Sequence, residues 1–389
     1  MTAQNPRSVS PSAALLLLAL VWLAGCASHS TRFYPLGIYD VRDTNDFSIV
    51  REAGFNLITG PAHGPFLDAA KAHGLKVLAA PGTSAGPGFQ SGPARRAIQR
   101  CDAHPALWAW YLVDEPEMTG VAPEYVLAAN RFIKSLGARK PTSLVLYHAT
   151  AALSYVDAAD ILLIDRYPIP WLPLADFPKH LRLARSAAGK HHPLIAVIQA
   201  FDWAATPNLL PRERHLRPPS YEELRCLTYC ALVTGANGLF YYAFDNGPWK
   251  MEEHLDTWYA LHTVIQEVTA RLPLFRAQHL WWPAHLDFHD YTNRFNAALE
   301  SSVMLALLRV PHGDAAVPSG HYVLAVNNTT NLHVVTLSLP GILSPTLPVL
   351  SERRALPVQR HRATDVFPPY AVHVYGPLDY SPAKAGQPK

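Results

Sequence analysis

The sequence predicts an α/β fold, a (β/α)8 TIM barrel followed by a small C-terminal antiparallel β-sandwich. Three observations predict it. Eight strand-like runs alternate with helical segments between residues 33 and 282, the order that builds a parallel barrel inside a ring of helices. The fourth of those runs, Leu107 to Val113, is apolar almost throughout, as strands buried on both faces are. Beyond about Pro283 the pattern changes to short runs separated by turns and prolines, which reads as antiparallel sheet over 283–378. A doubly wound open sheet is disfavoured because no GxGxxG follows the first run.

The first run, Phe33 to Val41, ends in Tyr39-Asp40. A short helix, Phe47 to Ala53, closes at Gly54 before the second run, Phe55 to Thr59. The helix Phe66 to His73 has Gly74 at its C-terminal cap, where glycine is favoured, ahead of the third run, Leu75 to Ala80. A glycine-rich loop and a helix containing Arg95 to Arg100 lead to the fourth, which stops abruptly at Asp114-Glu115-Pro116. Glu124 to Gly137 is helical, Ser143 to His148 is the fifth strand, and a short helix, Ala151 to Ala159, precedes the sixth, Ile161 to Asp165. Phe177 to Ala188 is helical and Leu194 to Gln199 is the seventh strand. A long loop carrying Phe201, Asp202, Trp203 and many prolines follows. The helix Tyr221 to Thr234 is capped by Ser220, with Glu222-Glu223 in its first turn, where carboxylates favour the helix dipole. Gly238 to Phe244 is the eighth strand and Glu252 to Arg271 the last helix. In the C-terminal part Val303 to Val310, His321 to Asn327, His333 to Leu339 and Ala371 to Tyr375 read as strands, and Asp379 to Lys389 as a frayed tail.

Composition narrows the function. A hydrophobic content of 49% with 16% charge describes a packed globular chain. The net charge of +3 comes from scattered Lys and Arg without a basic stripe, so nucleic acid is not an expected partner. No HExxH, no GxSxG and no zinc-ligand spacing occurs, and no metal or organic cofactor is expected. Cys226 and Cys230 share a helix face and read as small apolar residues. The N-terminus carries Arg7, an apolar run from Ala13 to Ala24 too short to span a bilayer, and Leu23-Ala24-Gly25-Cys26. This resembles a bacterial lipoprotein signal (1–25) with a linker at 26–32. The resemblance implies lipidation of Cys26 and a membrane partner through that lipid, and Ala27 leans the expectation towards the outer membrane.

The chemistry-bearing residues sit at strand ends, where reactive groups of (β/α)8 barrels gather. They are Asp40 after the first strand, Asp114 and Glu115 after the fourth, Tyr147 after the fifth, Asp165 and Tyr167 after the sixth, Gln199 and Asp202 after the seventh, and Tyr241 and Asp245 after the eighth. Trp203 and Trp249 lie in the following loops, where aromatic faces suit sugar rings. Asp165-Arg166 reads as a charge pair at the cleft rim or a contact to sugar hydroxyls. Acids and aromatics around one barrel mouth describe a carbohydrate cleft, and glycoside hydrolysis needs a carboxylic acid plus a second group at the anomeric carbon.

Two stretches, Trp110-Tyr111-Leu112-Val113-Asp114-Glu115-Pro116 and Leu227-Thr228-Tyr229 through Gly235 to Tyr242, resemble those of TIM-barrel glycoside hydrolases. The resemblance implies that Glu115 is the general acid/base. It also implies a glutamate nucleophile after strand seven, where this sequence has Gln199. Three readings follow. Substrate assistance, as in barrel hexosaminidases with an adjacent Asp-Glu pair after strand four, makes Asp114 the residue that orients a substrate acetamido group. Alternatively Asp202 or Asp245 supplies the second carboxylate. The third is a non-catalytic carbohydrate-binding or structural envelope lipoprotein. The first requires a bend, because neighbours on an ideal strand face opposite ways.

Overall fold

A computed structural model describes residues 33–206, 215–289 and 302–382; the signal stretch and Cys26 lie outside these. Eight parallel strands close a barrel in sequence order: β1 (Leu36–Ile38), β2 (Leu57–Pro61), β3 (Lys76–Ala80), β4 (Leu107–Val113), β5 (Thr142–Leu146), β6 (Ile161–Asp165), β7 (Leu194–Gln199) and β8 (Gly238–Tyr242). Every residue of β5, β6 and β7 is buried, because helices cover the outer face and packed side chains fill the inner one. The seam between β1 and β8 pairs Gly37 with Phe240. A Cβ on Gly37 would stand 2.4 Å from the Phe240 ring, so the closing strands need glycine there to let the ring cross.

The helices lie close to their expected bounds. The helix Tyr221–Val233 opens with a capping box in which the Ser220 hydroxyl accepts from Glu223 N and the Glu223 carboxylate accepts from Ser220 N. This satisfies two backbone donors that a helix start leaves open. Cys226 and Cys230 on this helix are buried free thiols with sulfurs 4.0 Å apart.

The C-terminal region forms the antiparallel sheet β17–β12–β11–β9, from Gln278–Leu280 (β9), Val303–Val310 (β11), Gly320–Asn327 (β12) and Val372–Leu378 (β17). A second sheet orders Leu286–Phe288 (β10), His333–Ser338 (β13) and Arg362–Phe367 (β16), and Thr346–Pro348 (β14) pairs with Ala355–Pro357 (β15). The first sheet alternates in what it packs against. Met304 and Leu308 join the barrel's core, while Val303 and Leu307 join a core with Val335, Leu337 and Phe367. Period-two side chains thus bury both faces of one sheet.

Two boundaries differ from expectation. The sheet begins with β9 at Gln278, ahead of residue 283, because Gln278 to Leu280 hydrogen-bond to β11. Within the expected tail, Tyr380 bridges Ile342 and Ser381 N donates to Gly341 O; residues 383–389 lie outside the described residues.

One buried acid fastens the strand that carries Asp114 and Glu115. Asp102 accepts from the Trp110 indole of β4 at 2.9 Å, and from the backbone N–H groups of Arg139 (2.8 Å) and Lys140 (3.2 Å) ahead of β5. Burial pushes its carboxyl up, but these donors outweigh burial and hold it below the usual range. A depressed carboxyl stabilises the fold above its ordinary pKa, and that stability drains as pH falls through the folded value. Asp102→Ala is expected to cost roughly 3 kcal/mol at pH 7, from charged hydrogen bonds lost in a buried place. Urea unfolding at pH 7 and near pH 3 checks this: the deficit must shrink at the lower pH.

Candidate active site

The C-terminal ends of the strands surround a cavity of about 900 Å³, within the range that holds a small ligand. Asp40, Asp114, Glu115 and Asp165 line it with Arg42, and Tyr39, Tyr111, Tyr147, Tyr167, Phe201, Trp203 and Tyr242 supply aromatic walls. Among the described residues, four lining carboxyls therefore face one lining cation.

Asp114 and Glu115 enter the same cavity through a local departure from strand geometry. Glu115 adopts φ +39°, a left-handed conformation that costs a non-glycine residue energy. The β4–β5 register also shifts between Tyr111 and Val113. Glu115 N still donates to Val145 O. The bend thus supplies the re-aiming that two adjacent carboxyls need in order to enter one cavity. The Tyr111 hydroxyl donates to Asp114 at 2.5 Å, and Glu117 accepts from His148 N at 2.8 Å, tying the loop after β4 to the loop after β5.

Asp165, at the end of β6, is 4% exposed. Its carboxyl lies within hydrogen-bonding reach of that of Glu115 and of the Tyr167 hydroxyl. Burial first, then the charge of Glu115, push Asp165 well above the usual carboxyl range. Burial also raises Glu115, the contact with Asp165 works against it, and the charges of Asp114 and Glu117 add to it. A buried and a half-buried carboxyl this close share protons because both cannot ionise cheaply. Arg166 does not pair with Asp165 at the rim. Its guanidinium binds Asp176 at 2.5 Å and stacks over the Tyr147 ring at 4.5 Å, so Glu115 is not locked in a salt bridge to it.

The aromatic wall is continuous. Tyr167 stacks on Tyr242 with centroids 5.6 Å apart, and Trp203 meets Phe201 at 4.9 Å and Trp171 at 5.2 Å. The Trp203 indole nitrogen is buried without a partner among the described residues.

Five expected site residues lie elsewhere. Tyr241 is fully buried on the outer face of β8, its hydroxyl 2.7 Å from Thr228 of the surrounding helix. Its neighbour Tyr242, unforeseen, is the one facing the cavity. Trp249 is buried, stacked on His254 at 3.9 Å and donating to Ala243 O, so neither ring face is open to a sugar. Gln199 is fully buried with its amide spent on Ile169 N, Ile169 O and Phe201 O. Asp202 accepts from Ala204 N and Asp245 from Gly247 N, each closing a turn outside the cavity lining. Tyr111 and Tyr242 were discoverable in principle from strand parity, provided the register of each strand was known.

No protein family and no curated protein matches the sequence. The solved structures it is similar to are TIM-barrel glycoside hydrolases. A β-galactosidase from Bacillus circulans sp. alkalophilus superposes with a TM-score of 0.58 at 8% identity, over 88% of this chain and 98% of its own. The GH42 β-galactosidase Gan42B from G. stearothermophilus, solved as a catalytic mutant, gives 0.56 at 9% identity over 89% and 98%. An α-amylase from Geobacillus thermoleovorans complexed with acarbose gives 0.55 at 10% identity over 88% and 97%. The chain spans 60% of the length of a β-galactosidase from the psychrophilic Marinomonas ef1, with a TM-score of 0.46 at 14% identity. At these identities the likeness establishes the fold.

Two outcomes test this geometry. Gln199→Ala removes three hydrogen bonds to buried backbone and is expected to cost at least about 3 kcal/mol, read by chemical denaturation. Asp40 is raised to about 6, chiefly by burial, with Arg42 opposing and Asp114 and Asp245 adding. A carboxyl raised on folding destabilises the fold as pH climbs through its folded value. Asp40→Asn should therefore raise Tm above wild type at pH 8 and lose that advantage near pH 4. Asn, like Asp, tolerates the φ of +60° at this position, so the substitution adds no backbone strain at either pH.

Proposed function

We propose that the protein hydrolyses O-glycosidic bonds with Glu115 as general acid/base, assisted by a 2-acetamido group on its substrate that Asp114 orients. The observation that carries the reading is the bend at Glu115, which turns two neighbouring carboxyls into one cavity, while the end of β7 holds a pinned amide. Asp202 and Asp245 are occupied closing turns. Asp165 touches Glu115, whereas a nucleophile or base needs roughly 5–9.5 Å of separation to flank a sugar. These facts disfavour a second enzymic carboxylate from those positions.

The chemistry runs in two halves. Glu115 gives its proton to the glycosidic oxygen as the C–O bond breaks, and the acetamido carbonyl oxygen bonds to the anomeric carbon. Asp114, held by Tyr111, accepts the acetamido N–H and stabilises the positive charge that develops on the ring formed. Glu115, now a carboxylate, removes a proton from water as that water opens the ring at the anomeric carbon. A glutamate raised by burial and neighbouring charge keeps its proton to higher pH than a free carboxyl does, as a general acid requires. The fold shared with glycoside hydrolases supports the class.

Glu115→Gln is expected to lower kcat/KM on aryl 2-acetamido-glycosides at least about a hundredfold, the ordinary worth of a general acid. Asp114→Asn should lose roughly as much on those substrates and little on glycosides lacking the acetamido group. Wild-type binding of a glycan without turnover, surviving in Glu115→Gln, would instead favour a carbohydrate-binding protein. We further propose that the chain is exported and held at the outer membrane through lipid on Cys26. Metabolic labelling with a radioactive fatty acid should mark the wild type and leave Cys26→Ser unlabelled and released from the membrane fraction.

A further inference from the structure

We propose that Asp165 is a positioning residue for Glu115, remaining a neutral carboxylic acid and donating a hydrogen bond to Glu115 through the whole reaction. The inference rests on Glu115 being the proton donor, and three features of the site lead to it. Asp165 is 4% exposed, so water does not solvate it. No N–H or O–H of the described residues reaches its Oδ1. Its one adjacent cation, Arg166, is committed to Asp176 and to the face of Tyr147.

Among the described residues, the groups around Asp165 offer no compensating positive charge. From β4 come Tyr111, Asp114 and Glu115; from β1, Tyr39; from the end of β5, Tyr147; from β8, Tyr242; and from its own strand end, Tyr167. The Tyr167 hydroxyl favours the charged form, but burial and the neighbouring acids outweigh it, and the group neutralises instead.

Proton bookkeeping then decides which carboxyl works. If the pair held a single proton when substrate bound, its transfer to the glycosidic oxygen would leave two anions in contact. With Asp165 neutral, Glu115 gives up its own proton and the new carboxylate accepts a hydrogen bond already in place. A charge-assisted O–H···O⁻ bond is roughly twice as strong as a neutral one. Asp165 thus stabilises charge only where it forms, which is the kind of preorganised donor that accelerates a reaction. The proton on Asp165 is never transferred.

The test combines infrared spectra and pH–rate profiles of the full-length protein. At pH 8 wild type should show a protonated-carboxyl C=O band that Asp165→Asn lacks and that both Asp40→Asn and Glu115→Gln retain. Asparagine keeps a neutral donor, so Asp165→Asn should hold kcat within about tenfold and leave the basic limb of kcat/KM in place. Asp165→Leu removes the donor, which disfavours the Glu115 carboxylate. The limb should then move to higher pH and kcat should fall about 10–1,000-fold. A basic limb moved to lower pH in Asp165→Asn would mean that a negative charge had been removed, and would overturn the proposal. So would a band absent from wild type or surviving in Asp165→Asn. If Glu115→Gln stayed fully active while the band behaved as expected, the role given to Glu115 would fail and the neutral state of Asp165 would stand.

Discussion

The site depends on a single backbone constraint, the turn of the chain at the end of β4. A regular strand would aim Asp114 and Glu115 to opposite sides of the barrel wall. With φ at +39° Glu115 leaves that pattern while its N–H keeps the ladder bond to Val145. Such a conformation costs on the order of 1–3 kcal/mol and persists only where its surroundings over-determine it. Here Asp102 grips Trp110 upstream, Tyr111 holds Asp114, and Glu117 fastens the following turn to His148. Each contact is made by a residue of β4 or its flanks, so the bend is built into one segment, Asp102 to Glu117, and the strand beside it.

A second constraint is electrostatic. Burial is the largest cause raising Asp40, Asp114, Glu115 and Asp165, and among the described lining residues Arg42 alone carries positive charge. A cavity designed only for stability would pair these acids with cations. Arg166 is near enough to have served, yet its guanidinium is turned away by Asp176. The result is a site whose acids hold protons at higher pH than free carboxyls do, and which loses folding free energy when they ionise. Sites with both properties are where proton transfer is found.

The sequence made the barrel legible because its signals are local. The bounds of β6, β7 and β11 could be read to the residue, since unbroken apolar runs flanked by turns leave little freedom. The site was legible by strand end and not by face. Tyr241 and Tyr242 are chemically identical, and only the register that pairs Gln199 with Tyr242 settles which enters the cavity. Trp249 has the composition of a sugar platform, but His254, five residues on, covers its ring. Strand β16 was invisible for a different reason. Its inward positions are Ala363, Asp365 and Phe367 while Val366 faces out, so polarity runs against the usual alternation. Arg354 and Tyr375 satisfy the buried Asp365, and that pairing is formed only in the folded chain.

Gln199 shows how a position can matter without doing chemistry. Among retaining barrel glycosidases the end of strand seven is where the nucleophile is expected, and an amide there first suggests a catalytic loss. The structure gives the side chain another task. Its three hydrogen bonds hold the backbone of Ile169 and Phe201, on either side of the groove between β6 and β7. Those two loops carry Tyr167, Phe201 and Trp203, the aromatic wall that faces the carboxyls. A glutamate at 199 would need a proton to reproduce the bond to Ile169 O, and in a fully buried place it would be held neutral or expelled. Glutamine satisfies the same groups without charge. The strand end thus serves as a clasp: one uncharged side chain ties together the two loops that bear the aromatic wall of the cavity.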